Sequence, residues 1–371
     1  MAIKASGSSL SFSEIENEFG NNATRSLGAY RMNNLNIGSL SEVSLSRDGC
    51  GPSANSDIPV DNETIKFSDF YNAKQNIYLD FYSSNQNRVN AKNDKFFASN
   101  PSGNYVVVGG TNQTNGPKPS NTSGKKVIIH VTKLIGSAKG SQNNCALRTG
   151  SWNGGTDLLV EVNGSGKIIG AGGDGGNGVE DAVGGNGESG TGALGIDYSG
   201  TKIQTSGGSI VCGFGGGGAG GGGETKREGN WLGRGRGPRV DAGGGGGGGG
   251  MGIPAGNGGT SPEGSAHYGT AGSATAAGDG GEGAEVTSRG EATINGGKGG
   301  EGGFQGNTED GIPDQGESGF LSGGEHEDAE TYSGGLGGAN GGAIRKASGS
   351  ISFTLVGSPT IIGTTNETGV S

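Results

Sequence analysis

The chain has 371 residues, 88 of them glycine, with 29% apolar and 6% aromatic side chains and a formal net charge of −10 at pH 7. That acidity excludes the basic surface a nucleic acid partner requires, and no stretch approaches the ~18 apolar residues of a membrane span. Three scattered cysteines, Cys50, Cys145 and Cys212, are too few for a disulfide framework or a zinc site and read as reduced thiols.

The opening stretch, "MAIKASGSSLSFSEIENEFG", lacks the apolar core of a signal peptide. The expectation is a protein that stays in the cytosol or leaves the cell by lysis or in a particle. Residues 1–75 contain a partial repeat: "SLSFSEIENEFG" (Ser9–Gly20) and "TIKFSDFYN" (Thr64–Asn72) share apolar–x–Phe–Ser–acid–apolar. Each predicts a short strand followed by a helical turn, with Ser13 and Ser68 as N-caps and Ser13 with Glu16 as a capping box. On residue types alone this is a small packing module without chemistry, to which "SLGAYR" (Ser26–Arg31) adds a second hydrophobic cluster.

Residues 76–163 read as a β-rich domain. "NIYLDFY", "NYVVVGG", "KKVIIHVTKLIG" and "TDLLVEVNG" alternate or run apolar between turn-rich stretches, a sandwich- or jelly-roll-like pattern. From residue 164 to 345 short apolar strands run straight into glycine tracts. "GKIIGAGGDGGNG" (Gly166–Gly178) is echoed by "GSIVCGFGGGGAGGGG" (Gly208–Gly223); "GGGGGGGG" (Gly243–Gly250), "GDGGEG", "GGKGGEGG" and "GGLGGANGG" follow. The segment 346–371, with "GSISFTLVGSPTIIG", is strand-like again.

A glycine-rich tether is the default reading of such tracts, because glycine loses the most backbone entropy on ordering. Recurrence at similar length, near-absence of serine and chemically rich inserts argue against a tether. A polyproline-II-like helix has three residues per turn and no internal hydrogen bonds. Without side chains, several such helices can hydrogen-bond laterally and add Cα–H···O contacts. They would stack into sheets one layer thick, with the inserts as loops at the two ends. Collagen demands glycine at every third position, and "GGGGGGGG" and "GDGGEG" are read as keeping no such register, so collagen is rejected. The expected fold class is therefore mostly β and irregular, with a small mixed N-terminal module, a β-rich middle and a glycine-helix bundle.

Nothing in the chain reads as catalytic. "GSGKIIG" (Gly164–Gly170) has the wrong spacing and no following helix for phosphate binding. His130, His267 and His326 are far apart and no nucleophile sits in a recognisable setting. "GEHEDAE" (Gly324–Glu330) reads as a solvated acidic loop rather than a cation site. No cofactor and no metal is expected. The inserts are more informative. "ETKREGNWLGRGRGPRVDA" (Glu224–Ala242) has five basic and three acidic residues around Trp231, with Arg234 and Arg236 beside it. "SPEGSAHYG" presents His267 and Tyr268, and the acidic stretch from Asn307 to Tyr332 carries Phe320 and Tyr332. These are residue types that dominate interfaces; as lids packed on the glycine segments they would serve the fold instead.

The alternation of strand-plus-glycine tract with variable loops over about residues 161–345 resembles the distal tail-fibre adhesins of T-even-type phages. That resemblance implies a sandwich of polyglycine-II helices whose tip loops bind a host cell-surface protein or glycan. The candidate receptor-binding residues are then Trp231, Arg234, Arg236, His267, Tyr268, Phe320 and Tyr332. Separately, the two Phe-Ser-acid motifs resemble a repeated N-terminal motif of phage and cyanophage virion proteins. This implies attachment to other tail or virion proteins through Phe12, Ile15, Phe19, Phe67, Phe70 and Tyr71. An adhesin of the T-even kind caps a separate fibre protein, whereas here attachment module, β region and glycine domain share one chain. Its place at fibre tip, baseplate or neck, and any homo-oligomer, stay open. A purely structural virion fibre or decoration protein is the alternative; an ice-binding protein fits less well, because the inserts are long, charged and irregular.

Overall fold

The computed structural model describes residues 7–19, 26–30, 64–70, 77–81, 86–87, 89–91, 122–225, 240–287, 293–304, 314–322 and 329–371. In the N-terminal module, helix α1 spans Phe12–Phe19 and a 3₁₀ turn spans Phe67–Phe70. The caps lie elsewhere than the sequence pattern suggests. Ser11 donates its N–H and hydroxyl to the Glu14 carboxylate at 2.8 and 2.9 Å, so the capping pair is Ser11 with Glu14, and Ser13 lies inside the first turn. In the second copy Asp69 accepts the Lys66 N–H at 2.7 Å, and Ser68 lies inside the turn. Among the described residues no strand precedes either turn. The two copies nonetheless match: each acid reaches back three residues, and the residue after it, Ile15 or Phe70, is fully buried. Phe12 and Phe67 meet edge to face at 6.2 Å, a favourable aromatic geometry.

The β region coils in successive three-strand turns. The first is β1 (Ile77–Phe81), β2 (Gln86–Asn87) and β3 (Val89–Asn90); the second is β4 (Lys126–Val131), β5 (Leu134–Gly136) and β6 (Cys145–Arg148). The third is β7 (Asp157–Asn163), β8 (Lys167–Ile169) and β9 (Gly192–Ile196), and the fourth begins with β10 (Thr201–Ser206) and β11 (Ser209–Val211). The chain then leaves through six short strands: β12 (Gly223–Thr225), β13 (Val240–Ala242), β14 (Glu285–Thr287), β15 (Thr293–Asn295), β16 (Phe320–Ser322) and β17 (Ala329–Thr331). It returns to complete the fourth turn with β18 (Ile344–Lys346), and a fifth follows: β19 (Phe353–Leu355), β20 (Ile361–Ile362) and β21 (Glu367–Thr368).

Three five-stranded sheets result, ordered β1-β4-β7-β10-β19, β2-β5-β8-β11-β20 and β21-β18-β9-β6-β3, with every pair parallel. This is a three-sided parallel β-helix, not the sandwich or jelly roll expected from the strand pattern, whose pairings would be antiparallel. Strand β6 has no counterpart among the expected strands, and "NYVVVGG" lies outside the described residues. The sheets also run through the boundaries drawn at 163/164 and 345/346. One aliphatic ladder lines each side: Leu79–Ile129–Val160–Ile203, Ile135–Ile168–Ile210, and Val89–Leu147–Leu194–Ile344. All are buried in one core, each contributing roughly 1.5–3 kcal/mol. Both faces of the central strands are covered, as the run Val127–Val131 demonstrates, and this is why they read as apolar runs.

The glycine region grows out of two of these turns. Beyond the β8–β11 pairing, N–H groups of Gly170, Gly173 and Gly176 donate to the carbonyls of Val211, Phe214 and Gly217. On the return side Gly184, Gly187 and Gly190 donate to Ser333, Leu336 and Ala339, leading into β9 and β18. The β-helix thus sets the register of the first extended segments. Ten such segments cross the region among the described residues: 170–178, 184–191, 213–222, 243–252, 256–260, 267–272, 278–283, 296–303, 314–319 and 332–342. The obvious tracts are fewer, because several segments hold few glycines and one lies within the supposed loop 307–332.

Two segments lie inside. In 243–252 the donors divide three ways with a period of three, all at 2.9–3.1 Å. Gly244, Gly247 and Gly250 donate to Val179, Gly176 and Gly173; Gly245, Gly248 and Met251 to Gly297, Gly300 and Gly303; Gly246, Gly249 and Gly252 to His267, Thr270 and Ser273. Its carbonyls accept from three further segments, 213–222, 256–260 and 278–284. Segment 213–222 is likewise surrounded by six neighbours, and the other eight form a closed ring around the pair. The arrangement is therefore not one layer thick. A Cβ on any of Gly244–Gly250 would fall within 3.0 Å of a neighbouring carbonyl oxygen. Interior segments carry side chains only at Ala219 and, where they meet the β-helix core, at Phe214 and Met251.

Ring segments have one row free, and their sequences show it: Asp174 and Asn177, Asp279 and Glu282, Lys298 and Glu301, Leu336 and Ala339 each stand three apart. "GDGGEG" therefore keeps a period of three, with Asp279 and Glu282 on the outer row, where the sequence pattern suggested no register. The outward row lacks a backbone acceptor for its N–H groups, and neighbouring side chains supply one. Asp174 accepts from the Asn257 N–H at 2.6 Å, Asn177 from Thr260 at 2.9 Å and Asn186 from Leu336 at 2.8 Å.

Gly247→Ala should destabilise the protein at or beyond the ~1–3 kcal/mol of ordinary core overpacking, while Asp279→Ala on the ring should leave the denaturation midpoint nearly unchanged. Asp174 gives a pH signature. Burial pushes its pKa up, but the hydrogen bonds and charge of Lys139 and the Asn257 donors outweigh this and hold it below 3.8. A depressed folded-state pKa stabilises the fold above the unfolded value and loses that contribution as pH falls through the folded one. Thermal stability of the parent should drop more steeply below pH 4 than that of Asp174→Asn, which already lacks the carboxylate.

Candidate functional site

Successive segments alternate in direction between the β-helix side and the far side, so the connections sort into two ends. The turns at 251–255 and 273–277 lie at the proximal end, where the Ser137 N–H donates to Ile253 C=O at 2.9 Å and Phe304 and Ile253 pack on the core. At the distal end, six strands form two antiparallel sheets, β13-β12-β17 and β14-β15-β16. From these depart the connections 226–239, 288–292 and 323–328, beside the loops 179–183 and 261–266. The sheets prolong glycine segments that are already neighbours. A Cβ at Gly223 would meet Ile294 Cγ2, so the two sheets face each other over Ile294.

The structure brings some of the expected residues together. Phe320 opens β16 and is 53% exposed. Gly319, just before it, donates its N–H to the Tyr332 carbonyl at 3.0 Å, which sets these two aromatics on adjacent segments. The Tyr332 hydroxyl donates to Glu330 Oε2 at 3.0 Å, and this hydrogen bond, with the charges of Glu330, Glu224 and Asp181, raises the phenol pKa. His267 and Tyr268 lie on the opposite side of the ring, between segments 256–260 and 278–283. His267 Nδ1 lies 3.0 Å from the Glu282 carbonyl, which can only accept, so this nitrogen carries the proton and the ring ties two segments together. Tyr268 is 42% exposed. Trp231, Arg234 and Arg236 lie outside the described residues, as does Tyr71; the strands flanking the first three end at Thr225 and resume at Val240 on the distal side.

Two features went unmarked in the sequence. Leu336 and Val183 are each 57% exposed on the neighbouring segments 332–342 and 184–191 or their approach; the three-residue period, had it been read, marks Leu336 as outward. The distal strands and loops are also acidic. Glu180, Asp181, Glu224, Asp241, Glu263, Glu285 and Glu330 lie there, and no Lys or Arg does so among the described residues. Sheet register sets Asp241, Glu224 and Glu330 side by side, although among the described residues no group of three His, Cys, Asp or Glu is disposed to hold a metal. Cys145 and Cys212 are buried thiols outside any disulfide; burial first, and then the Glu367 charge, push the Cys212 thiol up to about 12. No described helix is long and apolar enough to cross a membrane.

His267→Ala should lower stability by roughly 0.5–1.5 kcal/mol through the lost inter-segment hydrogen bond. Tyr268→Ala should leave the melting temperature unchanged, and differential scanning calorimetry separates the two.

A β-helix thus carries a densely hydrogen-bonded array of glycine segments whose connections fall at two ends. No curated protein and no solved structure matches the chain. Residues 99–366, well over half of it and spanning most of the β-helix and the whole glycine region, match the family model described as phage tail fibre adhesin Gp38. The chain belongs to the phage tail fibre adhesin Gp38 family.

Proposed function

We propose that this tail fibre adhesin binds its host receptor through the distal connections, held on a bundle of polyglycine-II helices. The observation that carries the reading is the sorting of the connections. The inserts that carry Trp231, Arg234, Arg236, Phe320 and Tyr332 all depart from the end farthest from the β-helix. Donors that recur every third residue, six neighbours around each interior segment and the exclusion of Cβ atoms support the helix assignment. At ~3.1 Å per residue, eight glycines would carry the loops roughly 25 Å outward. Such a scaffold lets loops change without touching the fold, and its work is adhesion, not catalysis.

In the same proposal residues 1–75 fix the protein to its fibre or tail partner. The matched turns of α1 and Phe67–Phe70, with Phe67 41% exposed beside Phe12, support that role. Exchanging 226–239 and 323–328 for the corresponding connections of another adhesin should alter host range or adsorption while particles assemble normally. Unchanged adsorption would reject the distal end as the receptor-binding site.

A further inference from the structure

The flank formed by segments 278–283, 296–303 and 314–319 is strongly acidic. Asp279, Glu282, Glu301, Asp314 and Glu317 are all exposed there, and Lys298 is the one described cation among them, paired with Glu282 at 3.1 Å. The flank runs up to the exposed Phe320 and to Tyr332 with its Glu330 partner. The Lys298 ammonium is raised by its hydrogen bond to Glu282 and by the charges of Glu282, Glu301 and Glu317, and the Tyr332 phenol is raised by its own set, first its hydrogen bond to Glu330. Aromatic rings beside carboxylates suit the apolar stem and charged head of a lysine or arginine side chain. Carboxylates spaced along three segments suit several such side chains in one extended stretch.

We propose that the surface formed by Phe320, Tyr332, Glu330, Glu317 and Glu301 receives a lysine- or arginine-bearing loop of a host surface protein. This rests on the distal end being the receptor-binding site and names the chemistry of its partner. On this flank an anionic partner, such as a phosphate-bearing glycan, would meet five carboxylates against one lysine and be repelled. The surface both steers the encounter and seats the cation, so association should weaken as salt rises.

The test compares two charge-matched double variants of the full chain, Glu301→Gln/Glu317→Gln on this flank and Asp157→Asn/Glu188→Gln away from it. Association of labelled protein with host envelopes is measured at low and high salt. The flank pair should slow association roughly tenfold at low salt and flatten its salt dependence, with an unchanged melting temperature, while the control pair behaves like the parent. Phe320→Ala should raise the dissociation rate. Binding should disappear when envelope proteins are shaved with protease and should not be competed by lipopolysaccharide micelles.

Equal effects of the two pairs would reduce the matter to net charge and overturn the proposal. Faster binding by the flank pair would indicate an anionic partner, and binding that survives protease would indicate an amino sugar; either overturns it. A fall in melting temperature would show that the acids serve the fold, which also overturns it. If exchange of the distal connections leaves binding intact, the distal-end reading itself fails; if exchange abolishes binding but the two pairs match, only the cationic partner is lost.

Discussion

The structure depends on one constraint: backbone N–H and C=O groups of adjacent segments must meet at hydrogen-bond distance across a gap that no Cβ can enter. The two interior segments satisfy it in six directions, with donors in three and acceptors in three. Such segments bury no apolar side chains of their own, so the hydrophobic effect contributes little to them. Their ordering is offset by many lateral hydrogen bonds, each worth roughly 0.5–1.5 kcal/mol net, and by Cα–H···O contacts. Glycine, ordinarily a cost within regular structure, is here the residue that permits the contact.

Such an array needs a template, because a segment without side chains has nothing of its own to fix its register. The β-helix supplies one. Its aliphatic ladders pin β8 against β11 and β9 against β18, and the glycine segments continue those pairings outward. Met251, Phe214, Phe304 and Ile253 weld the proximal turns into the same core. A charged tie reinforces the last turns: the buried Arg345 pairs with Glu367 and also donates to Asn143 Oδ1 and to the carbonyls of Thr368 and Gly369. The apolar core therefore lies in the β-helix, while the glycine segments beyond it are held by backbone hydrogen bonds.

Part of this was legible from residue types. The aliphatic runs of β1, β4 and β7, the existence of packed glycine segments and the aromatic character of the inserts follow from local pattern. Parallel pairing did not follow, because an apolar run buried on both faces reads the same in a sandwich and in a β-helix. Ser13 and Ser68 looked like caps, but the helical turns begin one residue before each of them, at Phe12 and Phe67, and Glu14 and Asp69 close them. Segments 256–260, 267–272 and 314–319 hold too few glycines to stand out, since ring positions tolerate side chains on their outer row.

The sequence alone determined that glycine tracts would pack instead of dangling, and that aromatic and charged residues would gather in the inserts between them. Glycine runs too regular for a tether and inserts rich in aromatic and charged residues are local facts. Tertiary structure decided which inserts share an end, that Phe320 and Tyr332 stand side by side while His267 ties two segments on the far flank, and that Asp279, Glu282, Glu301, Asp314 and Glu317 share one flank. Those relations arise from hydrogen bonds between residues as much as 150 positions apart, such as that of Leu336 to Asn186. A segment without side chains carries no mark of its eventual neighbours; only the closed array assigns them.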